Sequence, residues 1–77
     1  FVRNVMIAIG NSNDPTLAEA AAERLDDESP LVRGAAVWAL SRLISREEFS
    51  SFAAERSRRE TDGAIIEEWR DALAAPL

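Results

Sequence analysis

Seventy-seven residues make one small domain, a size at which folding removes only roughly 60% of the unfolded chain's surface from water. With no cysteine and no histidine, the chain offers no thiolate or imidazole for a metal site, an iron–sulfur cluster, a disulfide or a nucleophile–base pair. Its net charge of −5 argues against sequence-independent binding to nucleic acid or anionic membrane, and no apolar run approaches the roughly 20 residues of a membrane span.

Phe1–Asn11 reads as a helix-like apolar stretch with no cap ahead of it. It begins mid-pattern, so the expectation is a C-terminal fragment of a larger protein. Gly10-Asn11-Ser12-Asn13-Asp14-Pro15 is a stop and a restart. Gly10 or Asn11 suits a left-handed helix end, while Asp14 caps a second helix with Pro15 at its first position. That helix, roughly residues 15–25, places Leu17, Ala21 and Leu25 on one face and Glu19 and Glu23 on another. Asp26-Asp27-Glu28 lacks the alternating ligands and central glycine of a calcium loop. These carboxylates are expected to solvate the loop, favour the next helix N-terminus and pair with an arginine of an adjacent repeat.

Pro30–Leu43 is the centre of the chain. Ser29 is its N-cap, and Val32, Ala35, Ala36, Ala39, Leu40 and Leu43 recur at helical spacing. Leu31, Val37 and Trp38 lie outside that face, so the helix is apolar around most of its girth and is expected to be buried on several sides. Gly34 and Ser41 mark a strip where a neighbouring backbone or solvent comes close. Ser45 with Glu48 reads as a capping box for a fourth helix, roughly residues 46–58, that buries Phe49, Phe52 and Ala53. Asp62 caps a fifth helix running to about Ala74, with Ile65, Trp69, Ala72 and Leu73 inward and Pro76 as its stop.

Three of these helices resemble one another. Ala8-Ile9-Gly10 matches Ala39-Leu40-Ser41 at an interval of 31, and Ala39-Leu40 matches Ala72-Leu73 at 33. Val2-Arg3 matches Val32-Arg33 at 30, which leaves the first register open by one residue. Intervals of this size are those of a helical solenoid. The expectation is an all-α fold of about five helices in the order inner, outer, inner, outer, inner, with residues 1–77 as one repeat domain. Ala35, Ala36, Ala39, Leu40, Phe49 and Trp69 should be buried.

No catalytic constellation is visible. Ser41 and Ser45 have no histidine or lysine base, and the adjacent pairs Glu47-Glu48 and Glu67-Glu68 point in different directions on their helices. All nine basic residues are arginine, the side chain suited to bidentate carboxylate or phosphate contacts. Arg3 with Asn4, and Arg33, are therefore the candidate RNA-binding residues. The competing reading makes the arginines an ion-pair ladder between repeats, with Asp27 or Glu28 as partners. Trp38 and Trp69 are read as core packing rather than as base-stacking platforms.

The run Arg3-Asn4-Val5-Met6-Ile7-Ala8-Ile9-Gly10-Asn11-Ser12, followed by Leu31-Val32-Arg33-Gly34-Ala35-Ala36-Val37-Trp38-Ala39-Leu40, resembles the C-terminal HEAT-like region of bacterial epoxyqueuosine reductases. Ile65-Ile66-Glu67-Glu68-Trp69 resembles that region's last helix, although Ile66 stands where that family's pattern has arginine. The resemblance spans nearly the whole chain. It implies an α-solenoid fragment of short HEAT-like repeats, a non-catalytic part of a cytoplasmic oxidoreductase that reduces an epoxide on a modified tRNA wobble base. That family carries cobalamin and two four-iron–four-sulfur clusters upstream. None of the cluster cysteines is present here. The implied partners are the upstream catalytic domain and tRNA, with no membrane. Two other readings stand beside it, a HEAT-type protein–protein interaction scaffold and, lowest, a helical-repeat DNA-repair enzyme.

Overall fold

In the computed structural model, which describes residues 1–74, every helix start for which the sequence offers a capping side chain is capped by it. The Thr16 amide donates to Asp14 at 3.0 Å, Val32 to Ser29 at 3.4 Å, Glu48 to Ser45 at 3.2 Å and Ala64 to Asp62 at 2.9 Å. Each of these bonds satisfies an amide that the first helical turn leaves without a backbone partner. The resulting helices are α1 (Val2–Gly10), α2 (Ala18–Glu23), α3 (Pro30–Leu43), α4 (Arg46–Arg56) and α5 (Gly63–Ala74), with no strand among the described residues.

Two boundaries differ from the sequence expectation. The segment read as a helix over 15–25 keeps α-type bonding only in Ala18–Glu23, flanked by 3₁₀ turns at Pro15–Leu17 and Arg24–Asp26. Asp14 explains the first turn, because it takes both the amide and the hydroxyl of Thr16 and draws the chain in tightly. Helix α4 stops at Arg56 rather than residue 58, as the Arg59 and Glu60 amides both fold back onto the Arg56 carbonyl. The stop expected at Pro76 lies outside the described residues.

The left-handed residue of the first loop is Asn13, with φ 57°, and not Gly10 or Asn11. Asn11 is right-handed at φ −89°. Gly10 is helical and serves a different end, taken up below.

Helices α1, α3 and α5 form one layer, with α3 in the middle packed on both neighbours. Helix α2 packs on α3, and α4 packs on α5 and α3, forming the other layer. The Cα envelope measures 28 × 28 × 17 Å, and its short dimension is the thickness of two helix layers. Repeat order and spatial order therefore agree.

Burial follows from α3's position. Val32, Ala36, Val37, Ala39 and Leu40 are all buried, and all but Val32 are fully so. Val37 lies off the main apolar stripe, yet α3 is covered on enough sides to enclose it. Ala35 is only half-buried, because the flank it occupies faces the open side of the α1–α3–α5 layer. Met6, Ala21, Leu25, Phe49, Ala53, Ile65 and Trp69 complete the core. The rings of Phe49 and Trp69 meet at 5.1 Å between centroids, tilted by 38°, and this pair ties α4 to α5.

Candidate functional site

Two concave regions flank α3, and they differ in chemistry. The first lies at the edge where the α2–α3 loop meets the α4–α5 loop. Arg33, on the first turn of α3, reaches Glu60 bidentately: Nε to Oε1 and Nη2 to Oε2, both at 2.9 Å. Its Nη1 also donates to the Asp27 and Glu28 carbonyls at 2.8 and 3.1 Å. The side chains are 16% and 7% exposed, so the pair is largely shielded from water. Glu60 further accepts the Thr61 and Asp62 amides, which sets the path of the chain into α5.

Burial pushes the Glu60 carboxyl up, but the bonds from Arg33 and the two amides outweigh it and leave it below the ordinary carboxylate range. The bond to Glu60 correspondingly raises Arg33. Beside this pair, Asp26 receives both Arg56 and Arg59, and the Arg56 guanidinium holds its carboxyl below the usual range. The expected pairing of the acidic loop with arginines of the next repeat is thus present, made by Asp26. Asp27 meanwhile accepts the Ser29 amide at 2.9 Å and pairs with Arg24.

The second concavity is a trough of about 290 Å³ on the open side of the α1–α3–α5 layer. Its floor is low because α3 presents Gly34 and Ala35 there. A Cβ added at Gly34 would stand 3.1 Å from the Ile65 side chain, so α5 approaches α3 closely at this point. Trp38 closes one end and Leu31, 67% exposed, stands at the other. Ile7 and Arg3 belong to the α1 wall, and Ala64 and Glu68 to the α5 wall.

Trp38 is held in place on its α1 side. A Cβ at Gly10 would come within 2.3 Å of the indole, which is why this helical position is glycine. Arg42 lies over the indole at 5.3 Å and donates from Nε to the Gly10 carbonyl at 3.0 Å. Trp38 is thus half-buried packing on one side and trough lining on the other.

These positions separate the three candidate RNA-binding residues. Arg3 and Asn4 are exposed on α1, and the Arg3 guanidinium has no hydrogen bond or ion pair among the described residues. Arg33 lies at the loop edge, engaged by Glu60. Arg3 and Arg33 line different concavities. The 31-residue register therefore describes the structure better than the 30-residue one, since it aligns Arg3 with Gly34 and Ile7 with Trp38, all four in the trough. The sequence reading passed over Glu60 and Glu68. Glu60 carried no periodic or motif signal, and Glu68 read as an ordinary helix-surface carboxylate.

Among the described residues no group of three carboxylates is arranged to hold a metal ion, and no helix is long and apolar enough to cross a membrane. Neither the curated proteins nor the solved structures yield a match. A family model described as HEAT repeats matches residues 2–74, which takes in all five helices and both layers. The chain belongs to the HEAT-repeat family.

Proposed function

We propose that this chain is a non-catalytic HEAT-repeat module that acts by protein contact through the trough along α3. The observation that carries the reading is the distribution of side chains between the two concavities. At the loop edge the arginines are matched by carboxylates of the same chain, whereas the trough offers apolar surface that the chain leaves open. Exposed Leu31 at its mouth and exposed Ile7 on its wall join Ala35 and Trp38 in one contiguous apolar surface, the kind that marks interaction sites.

Within that reading, the module is the C-terminal HEAT-like domain of an epoxyqueuosine reductase-like tRNA-modifying oxidoreductase, supporting the catalytic body in the cytoplasm. The resemblance of residues 3–12, 31–40 and 65–69 supports this, and those stretches fall on α1, α3 and α5, the layer that forms the trough. The resemblance places cobalamin and the iron–sulfur clusters in the catalytic body, and this chain has neither thiol nor imidazole to hold iron. A contact with tRNA is a second reading, favoured by the Arg3 guanidinium, unpaired among the described residues, with Asn4 beside it.

The test is turnover of epoxyqueuosine-containing tRNA by the full-length gene product, together with its visible spectrum. Iron–sulfur and corrin absorbance with turnover, reduced but spectrally unchanged on deletion of residues 1–77, is the expected result. Neither absorbance nor turnover removes the oxidoreductase parent and leaves a protein-interaction scaffold.

A further inference from the structure

The α4–α5 loop carries the run Arg58-Arg59-Glu60-Thr61, and its threonine differs from the other hydroxyls that flank the helices. Ser12 bonds the Ile9 carbonyl, Thr16 the Asp14 carboxylate, Ser45 the Glu48 carboxylate and Ser57 the Ala53 carbonyl, while Ser29 accepts the Val32 amide. The Thr61 hydroxyl has no hydrogen bond among the described residues, the side chain is exposed, and residues 60–62 lie in neither helix nor strand. Ser50 and Ser51 are exposed as well, but they sit inside α4, where an enzyme could draw in either hydroxyl only by melting the helix. Thr61 also lines the loop-edge concavity of about 300 Å³, together with Arg33, Arg56 and Arg59. Those three guanidinia are held unequally. Arg33 grips Glu60 bidentately at 2.9 Å and Arg56 reaches Asp26 at 2.5 Å. The contacts of Arg59 with Asp26 and Glu55 are 3.5 and 4.0 Å, between side chains all more than half exposed. Surface pairs of that length contribute little, so Arg59 is redirected at small cost.

We infer that Thr61 is a phosphorylation site for a serine/threonine protein kinase that reads basic residues ahead of its acceptor, and that Arg59 seats the resulting phosphate. In the transfer, Thr61 Oγ1 attacks the γ-phosphorus of a nucleoside triphosphate. The Oγ1–P bond forms as the bond to the β,γ-bridging oxygen breaks, the nucleoside diphosphate leaves, and the hydroxyl proton passes to a carboxylate of the kinase. Arg58 and Arg59, three and two residues ahead of the acceptor and both exposed, are the cations that an acidic substrate groove pairs with. The product gains a charge of about −1.5 to −2 and three strong acceptor oxygens. It stands one residue before the Asp62 cap of α5, an end whose dipole favours negative charge. Glu60 and Asp62 flank the phosphate, and Asp26, Asp27 and Glu28 share its concavity, so it needs a guanidinium close by. Arg59 is the least committed of the three. Seating the phosphate moves Arg59 off Asp26 while the Arg33–Glu60 pair stays closed. Phosphorylation thereby releases one of the two charge links between the α2–α3 and α4–α5 loops and keeps the other. The inference stands whether or not the trough docks a partner.

Incubation of the chain with ATP and the catalytic subunit of cyclic-AMP-dependent protein kinase, with the sites mapped by mass spectrometry, tests the acceptor. One phosphate per chain at Thr61 is expected, and none there in Thr61→Val. Arg58→Gln, at an exposed position with the far-ultraviolet circular dichroism unchanged, should lower kcat/KM by about tenfold. Thr16, equally exposed but with no arginine ahead of it, is the internal control. The seating is read by phosphorus NMR. The second ionisation of the phosphothreonine should rise by about half a unit when Arg59→Gln removes its cation from the modified chain.

Modification of a free peptide of residues 56–64 but not of the folded chain overturns the site, because the loop is then closed to the enzyme. So does phosphate on Thr16 or a serine in place of Thr61, or a rate indifferent to Arg58→Gln. A phosphate ionisation unmoved by Arg59→Gln overturns the seating.

Discussion

Glu60→Gln removes one charge and keeps the size of the side chain. The wild-type carboxylate accepts four hydrogen bonds, two from Arg33 at 2.9 Å and two from the Thr61 and Asp62 amides at 3.1 and 3.0 Å. A carboxamide has one acceptor oxygen and turns an N–H₂ toward a set of donors, so part of this network is broken. Hydrogen bonds to charged groups contribute about 1.5–3 kcal/mol each, but not additively, and removing one member of a buried pair costs about 3–5 kcal/mol. Arg33 keeps 16% of its side chain in water, which relieves some of that cost. About 2–3 kcal/mol is therefore expected.

A domain of this length has a stability of about 4–12 kcal/mol, so the loss is large. It should appear as a fall of about 10–20 °C in Tm, followed by circular dichroism at 222 nm. A cycle with Arg33→Gln should return a coupling above about 1 kcal/mol. The pH dependence supplies a second reading. Glu60 titrates lower in the folded state than in the unfolded chain, so its contribution is full above the ordinary glutamate range near pH 4.3 and is lost as pH falls below it. The variant should show a flatter acid limb. A cost under about 0.5 kcal/mol, or an unchanged acid limb, would refute the view that this pair clamps α3 to the α4–α5 loop.

Leu40→Ala, at a fully buried position, should cost about 2–5 kcal/mol in urea unfolding; less than half a unit would show that α3 is not the centre of the core. Gly10→Ala should destabilise by about 1–3 kcal/mol and shift Trp38 fluorescence, because the new methyl meets the indole. Gly63→Ala, with open space around it, should be neutral or stabilise by up to about 1 kcal/mol, and a loss there would contradict the packing given for the start of α5. Asp26→Asn should weaken stability only slightly, by up to about 1 kcal/mol, since that carboxylate is 65% exposed, and its effect should vanish in high salt.

The helices were legible because their starts are punctuated by single residues whose chemistry acts locally. Ser29-Pro30, Ser45 with Glu48, and Asp14-Pro15 each announce a cap, and each cap is formed. The all-round apolarity of Pro30–Leu43 likewise announced its central place. Gly10 shows where such reading stops. A glycine near a helix end signals either a left-handed turn or a close approach, and only the position of Trp38, 28 residues on, decides for the second. The site depends still more on distant partners. Arg33 and Glu60 are separated by 27 residues, and Asp26 and Arg59 by 33, so their pairing follows from the stacking of two loops and leaves no periodic trace. The 30-residue match of Arg3 with Arg33 was therefore misleading in function as well as in register. The one-residue difference turns one arginine toward the trough and the other toward the loop edge.

The arginine over Trp38 has a consequence for how the domain comes apart. The Gly10 carbonyl, at the C-terminal end of α1, is satisfied by Arg42 of α3, and the Leu73 carbonyl near the end of α5 by Arg46 at the start of α4. A helix end normally frays first and alone, because its last carbonyls have no partner within their own helix. Here each of these ends borrows its donor from a different helix, across 32 and 27 residues of sequence. Opening the last turn of α1 thus strands the Arg42 donor and loosens the indole beneath it. Terminal turns and the middle of the stack share one free-energy cost. Amide exchange near Gly10 should then approach the protection of α3 rather than that of a free helix end, and the small array should unfold as one cooperative unit instead of repeat by repeat.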